Sequence, residues 1–216
     1  MPDPIQKTAL SRYAAQRLAA HPGLAAEVDA ARDARAPFSA AEIARALQGT
    51  RSDDEAAFKR RLRMLRQRVL LRTMARDLAG EVSSAENLAE VCRTTSDLAE
   101  LSIRAALEWL GDADLIVVAM GKLGGRELNV SSDIDLVFVH PGLDENSADL
   151  EQVERTGRKL IALLSEVTED GFVFRVDMRL RPFGNSGALV SGFDALEEYF
   201  VAQGREWERY AWIKAR

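Results

Sequence analysis

The chain has 216 residues, 47% of them hydrophobic, with a net charge of −5, one cysteine and two histidines. That is apolar enough for one large core or two small ones, yet no apolar run approaches the ~18 residues of a membrane helix. Cys92 alone excludes an internal disulfide and a cysteine zinc site, the distant His21 and His140 exclude a histidine-rich one, and the acidic balance makes nucleic acid an unlikely partner.

The opening residues MPDPIQKTAL lack a secretory apolar segment, so with a lone thiol the expected location is cytoplasmic. Residues 1–110 read as helix after helix. Alanine-rich stretches at 8–20 and 23–35 come first, and Pro37 breaks the pattern. Ser39 with Glu42 makes a capping box for a helix through Leu47, closed by Gly49. Ser52 is expected to start the longest helix, where Phe58, Leu62, Leu65 and Val69 recur at helical spacing and Gly80 stops it. Its other face carries Lys59, Arg60, Arg61, Arg63, Arg66, Arg68 and Arg72. That face reads as a solvated surface, with a nucleic-acid or acidic-partner surface as the sharper alternative. Ser84 is expected to cap a short helix with Leu88 and Val91, and Thr95 or Ser96 to begin another through Leu98, Leu101, Ala105 and Trp109.

At Gly111 the texture changes. Leu115 to Met120 reads as a buried strand, broken by a loop with Gly121, Gly124 and Gly125. A second strand, Ile134 to Val139, carries Asp133 and Asp135 at its start. Side chains two apart on a strand share a face, so both carboxylates aim at one spot. A Pro141–Gly142 turn and an acidic stretch, Asp144 to Glu151, precede a helix with Val153, Gly157, Leu160, Ile161, Leu164 and Val167 on one face, ended by Gly171. A third strand is expected from Phe172 to Leu180, with Arg175, Asp177 and Arg179 on its polar side. The loop RPFGNSGAL and helices near 194–202 and 205–215 finish the chain, whose Trp207, Tyr210 and Trp212 read as helix packing. An α/β texture over 111–192 thus follows a helical region, 1–110, and precedes the start of another, 193–216.

If the third strand neighbours the second, Asp133, Asp135 and Asp177 converge, and such a cluster repels itself unless a hard cation compensates. Mg²⁺ is the first expectation, with Mn²⁺ possible. Paired divalent ions on shared carboxylates serve phosphoryl and nucleotidyl transfer. The glycine loop lets backbone N–H groups approach a phosphate, Lys122 adds a mobile charge, and Ser131 and Ser132 can bond phosphate oxygens or shape the turn. Lys122 precedes the glycine pair, so this is not a Walker A loop, and GKLGG does not supply a dinucleotide fingerprint.

The stretch GKLGGRELNVSSDIDLVF at 121–138 resembles the nucleotidyltransferase domains of the DNA polymerase β superfamily. With VDMRLRPFGNSGALV at 176–190 and YAWIKAR at 210–216, it is similar to the bifunctional glutamine synthetase adenylyltransferase/adenylyl-removing family. The resemblance covers about 115–216 and implies an α+β fold with a polymerase β-like core, a mixed sheet with helices. It also implies a front portion of a longer polypeptide, stopping here within a helix, in which one domain removes AMP from glutamine synthetase by phosphorolysis and another attaches it with ATP. The wording ELN-x-SSDIDL is more similar to the adenylyl-removing copy. The implied partners are glutamine synthetase, a PII-type signal protein, phosphate and ADP or ATP. By the same resemblance Asp133, Asp135 and Asp177 bind metal, while Gly121, Lys122, Gly124 and Gly125 frame phosphates. Arg179 is a candidate for the incoming phosphate, against an ordinary ion pair to one of the aspartates, and Arg175 is the same case but weaker. Ser132, Arg181 and Asn185 border the phosphate or nucleotide, with Lys214 a weaker candidate and Arg126, Glu127 and Asn129 holding the loop. Adenylyl transfer, a docking module without turnover and a nucleic-acid nucleotidyltransferase remain as alternatives.

Overall fold

The structure, a computed structural model, describes residues 11–27, 37–52, 54–79, 84–111, 114–142 and 150–216. They form two compact units. The helical unit takes the described residues of Met1–Gly49 and Asp53–Leu101 together with Leu128–Ser131; the sheet unit takes Thr50–Ser52, Ser102–Glu127 and Ser132–Arg216. The architecture is α+β, as the sequence led one to expect.

In the helical unit, α1 (Arg12–Ala20) starts under a cap in which the Ser11 hydroxyl accepts from the Ala14 N–H. The short α2 (Ala40–Ala46) has the expected capping box between Ser39 and Glu42. The long α3 (Glu55–Ala79) begins later than expected, because Asp54, not Ser52, supplies the cap by accepting from the Ala57 N–H at 2.8 Å. Gly80 and the acidic residues 143–149 lie outside the described residues.

The basic face of α3 is a correction. Val69, Leu70, Leu71, Arg72 and Thr73 are all buried in succession, and Arg63 is fully buried, so the middle of this helix is enclosed, while Arg60 remains exposed. Arg72 reaches Glu27 at 2.7 Å and Glu42 at 2.9 Å, Arg68 reaches Glu27 at 2.7 Å, and Arg76 reaches Glu90 at 2.5 Å. These arginines are internal cross-links between helices. A solvated or nucleic-acid-binding surface does not describe them.

The two helices expected around Ser84 and Thr95 are one, α4 (Ser84–Leu110). Thr94, Thr95 and Ser96 are buried in its middle. Hydroxyl residues cap helices when they stand at an end, but an apolar periodicity that continues through them keeps the chain helical.

In the sheet unit, β1 (Ile116–Ala119) pairs antiparallel with β2 (Ile134–His140). Leu136, Val137, Phe138 and Val139 are all buried, the mark of a central strand covered on both faces. The other side of β2 carries two short parallel partners, β3 (Val176–Asp177) at its start and β4 (Val190–Gly192) at its end. The nine-residue strand expected at 172–180 is therefore mostly not strand. Its ladder stops because the Asp177 carboxylate accepts from the Arg179 N–H at 2.9 Å, turning the chain, and Pro182 follows. The chain loops out and returns as β4, a three-residue strand just past the RPFGNSGAL loop that the sequence pattern does not announce. Between β2 and β3 runs α6 (Leu150–Ser165), burying Val153, Thr156, Gly157, Leu160, Leu163 and Leu164, while Val167 is exposed. The four-residue turn α5 (Gly121–Gly124) follows β1. The last helices are α7 (Phe193–Ala202) and α8 (Glu206–Ala211), then a 3₁₀ turn, Trp212–Lys214. The chain does not stop within a helix: Ala215 is extended, and Arg216 exchanges two backbone hydrogen bonds with Ala119, at 2.9 and 3.0 Å. Trp212 packs on the Met120, Val137 and Val139 cluster, whereas Trp207 and Tyr210 are exposed and do not pack as expected.

Candidate active site

Parallel pairing puts Asp135 opposite Asp177 in register, with Asp133 two residues earlier on the same chain. The three acids thus lie at one end of the sheet. Their surroundings differ. Asp133 is exposed and ion-paired to Arg175. Asp177 is held by Arg179, whose guanidinium donates to both carboxylate oxygens, at 3.0 Å to Oδ1 and 2.5 and 2.8 Å to Oδ2. That side-chain hydrogen bond, with help from the Arg179 backbone N–H, holds the Asp177 carboxyl below its ordinary value against the opposing effect of burial. Among the described residues the Asp135 side chain has no such partner. Burial first, then the charges of Asp177 and Asp133, push it above the ordinary carboxylate value, only partly offset by Arg179 and Lys122.

Gly121 completes the approach to Asp135. It has φ +52°, and a β-carbon there would lie 2.5 Å from Asp135 Oδ2. Only a residue without a side chain fits, in a conformation that L-residues rarely adopt. The neighbouring Lys122 is exposed. Gly124 is buried and Gly125 lies beside Glu127, so neither opens onto the acids. Ser132 is half-buried just before β2, and Asn129 accepts from both the Ser131 N–H and hydroxyl, shaping the loop. Arg181 donates to the Met178 carbonyl at 2.8 Å, and its charge also lowers Asp177. Lys214 pairs with Glu127 at 2.7 Å. Asn185 is exposed in the turn Gly184–Ser186. For both arginines the structure shows the ion pair to an aspartate that stood against phosphate binding, Arg179 on Asp177 and Arg175 on Asp133.

Among the described residues, no three acidic, histidine or cysteine side chains stand close enough to hold one ion as they are. The donor chemistry nevertheless fits a hard divalent cation: three carboxylates from neighbouring strands, the middle one partly buried and carrying a charge that nearby cations offset only in part. The arginines of the two outer pairs are 61% and 73% exposed, although Asp177 itself is only 17% so, and pairs with so exposed a partner are weak enough to exchange.

Among the described residues no helix is long and apolar enough to cross a membrane. The family profile described as glutamate-ammonia ligase adenylyltransferase matches residues 5–216. Similar proteins named bifunctional glutamine synthetase adenylyltransferase/adenylyl-removing enzyme occur in Aromatoleum aromaticum, 44% identical over all of this chain, and in Nitrosomonas europaea, 46% identical over 95% of it. One from Burkholderia mallei is 47% identical over 95%. The chain spans about a quarter of the length of these relatives. With a matching profile over nearly its whole length and the acid cluster in register, the chain belongs to the glutamate-ammonia ligase adenylyltransferase family.

Proposed function

We propose that this chain is the adenylyl-removing portion of a bifunctional regulator of glutamine synthetase, acting by phosphorolysis. An oxygen of inorganic phosphate attacks the phosphorus of the tyrosine-bound AMP. A new P–O–P linkage makes ADP, the bond to the tyrosine oxygen breaks, and that oxygen takes a proton from solvent. The observation that carries the reading is the convergence of Asp133, Asp135 and Asp177 beside the Gly121 turn. The names of the relatives, which join adenylyl transfer and removal to glutamine synthetase, support the substrate. Asp133, Asp135 and Asp177 would hold Mg²⁺, or Mn²⁺ in its place. Such an ion, when bound, supplies Lewis-acid stabilisation of charge on the transferring phosphoryl group.

The chain's own groups do the rest. Arg175 and Arg179 are exposed enough to turn toward an incoming phosphate, and Lys122 stands near Asp135 as a further cation. Fixed positive groups around developing phosphoryl charge are the main service a protein gives this chemistry. The cytoplasmic location and a PII-type regulator belong to the same reading.

Adenylylated glutamine synthetase incubated with phosphate and Mg²⁺ should yield ADP and unmodified enzyme. Unmodified glutamine synthetase incubated with ATP should yield no pyrophosphate. Pyrophosphate without ADP would reverse the direction, and neither product, in the longer polypeptide as well, would leave only a docking role.

A further inference from the structure

The geometry points to residues 212–216 as a strap that positions the glycine turn beside the acids, with Gly124 as its seat and Lys214–Glu127 as its latch. This inference rests on the function proposed above for its catalytic meaning, but its structural content stands independently. Three sets of contacts carry it. First, Arg216 and Ala119 exchange both backbone hydrogen bonds, so the segment adds itself to the free edge of β1, the strand that feeds directly into the turn. Second, Gly124 is where the strap touches the turn: a β-carbon there would collide with the Lys214 carbonyl oxygen and lie 2.6 Å from that of Ala119. This contact gives Gly124 a structural reason of its own. Third, Lys214 Nζ binds Glu127 Oε2 at 2.7 Å, just past the turn, while Trp212 and Ala215 pack on Met120, Val137 and Val139.

The consequence runs to Asp135. The turn's own hydrogen bonds, Gly124 N–H to the Met120 carbonyl at 2.9 Å and Gly125 N–H to that of Gly121 at 3.1 Å, hold Gly121 where it meets the Asp135 carboxylate. Met120 in turn donates to the Asp135 carbonyl at 2.9 Å. A strap that fixes the far side of a four-residue turn limits how far its near side can drift from the acids. Lys214 and Glu127 are thus positioning residues, and Lys214 is not assigned to substrate.

The test uses hydrogen exchange at the Gly124 and Gly125 amides together with steady-state phosphorolysis. Lys214→Glu, which sets two like charges together, should speed exchange at both amides by about tenfold. It should also lower kcat by about tenfold while leaving KM for adenylylated glutamine synthetase unchanged, since a misplaced turn costs rate before affinity. Lys214→Arg should restore both readouts, as should Glu127→Lys combined with Lys214→Glu. Gly124→Ala should release the strap more fully, with Trp212 emission shifting to the red. If that variant does not fold, the charge pair still decides. Exchange and kcat indifferent to Lys214→Glu, or faster exchange with unchanged kcat, would overturn the strap. Faster exchange restored by the swap, in a protein that releases no ADP at all, would uphold the strap and remove the proposed reaction instead.

Discussion

The two units treat charge in opposite ways. In the helical unit, Arg72 is 10% exposed and lies between Glu27 and Glu42, with its guanidinium 4.2 Å from the centre of the Phe38 ring, so this buried charge finds its counter-charges inside the protein. In the sheet unit, three acids share one end of a sheet, and the middle one is pushed above its ordinary pKa by burial and by its neighbours. The basic helix face read as a solvated surface, yet Arg68, Arg72 and Arg76 are scaffolding. The acids at the start of β2 mark the place where charge is left unbalanced. What separates structure from function here is whether the fold itself satisfies the charge, because an unsatisfied one persists only where something else compensates it.

The sharpest way to break this contrast is Asp135→Asn. If the acids serve catalysis, phosphorolysis should fall by about 10³-fold, on the order of the several kcal/mol that metal-assisted charge stabilisation supplies. Because the folded-state pKa of Asp135 lies above its ordinary value, the ionised form costs the native state stability at neutral pH, and the cost fades as pH falls through that raised pKa. The variant, assayed without added metal, should therefore melt about 1–3 °C higher than the parent at pH 7. A lower melting point would mean that Asp135 is satisfied after all.

Arg72→Met tests the other region. It leaves Glu27 facing Arg68 alone and Glu42 without its guanidinium, and breaking a buried pair costs about 3 kcal/mol. Thermal unfolding of the helical unit should show the loss. Adding Glu27→Gln should recover part of it, and a pair truly at the surface would show neither effect.

Gly121→Ala comes next. Its positive φ and the close Asp135 oxygen should cost about 1–2 kcal/mol of stability, and activity should fall with it as the carboxylate is displaced. Equal activity would show that the turn tolerates a side chain and does not frame the acids.

The smallest effect is expected at Glu42. Burial raises its pKa, but hydrogen bonds from the Ser39 backbone and hydroxyl and from Arg72, with the Arg72 charge, outweigh it and leave it lowered. A depressed carboxyl stabilises the fold above its unfolded pKa and loses that contribution as pH falls through the folded value, here below 4.5. Glu42→Gln should thus destabilise by less than about 1 kcal/mol at pH 7, since the side chain is over a third exposed and screened. The gap between variant and parent should close in denaturant titrations taken progressively below pH 4.5.

Much of the site was legible because its signals are local. Asp133 and Asp135 flank the first residue of a strand, Gly121 breaks an apolar run, and Ser39 with Glu42 caps a helix through neighbours three residues apart. Those relations follow from backbone geometry, so the sequence by itself determined them. It could not decide that 172–180 would split around an outward loop, since that depends on Asp177 bonding its own chain in preference to a ladder. Nor could it decide that Thr95 would sit inside one long helix, that the arginines of α3 would turn inward, or that Gly124 would seat Lys214 from 90 positions further on. Each of these outcomes hangs on a neighbour brought close by packing, and residue spacing along a chain carries no record of which distant surfaces will meet.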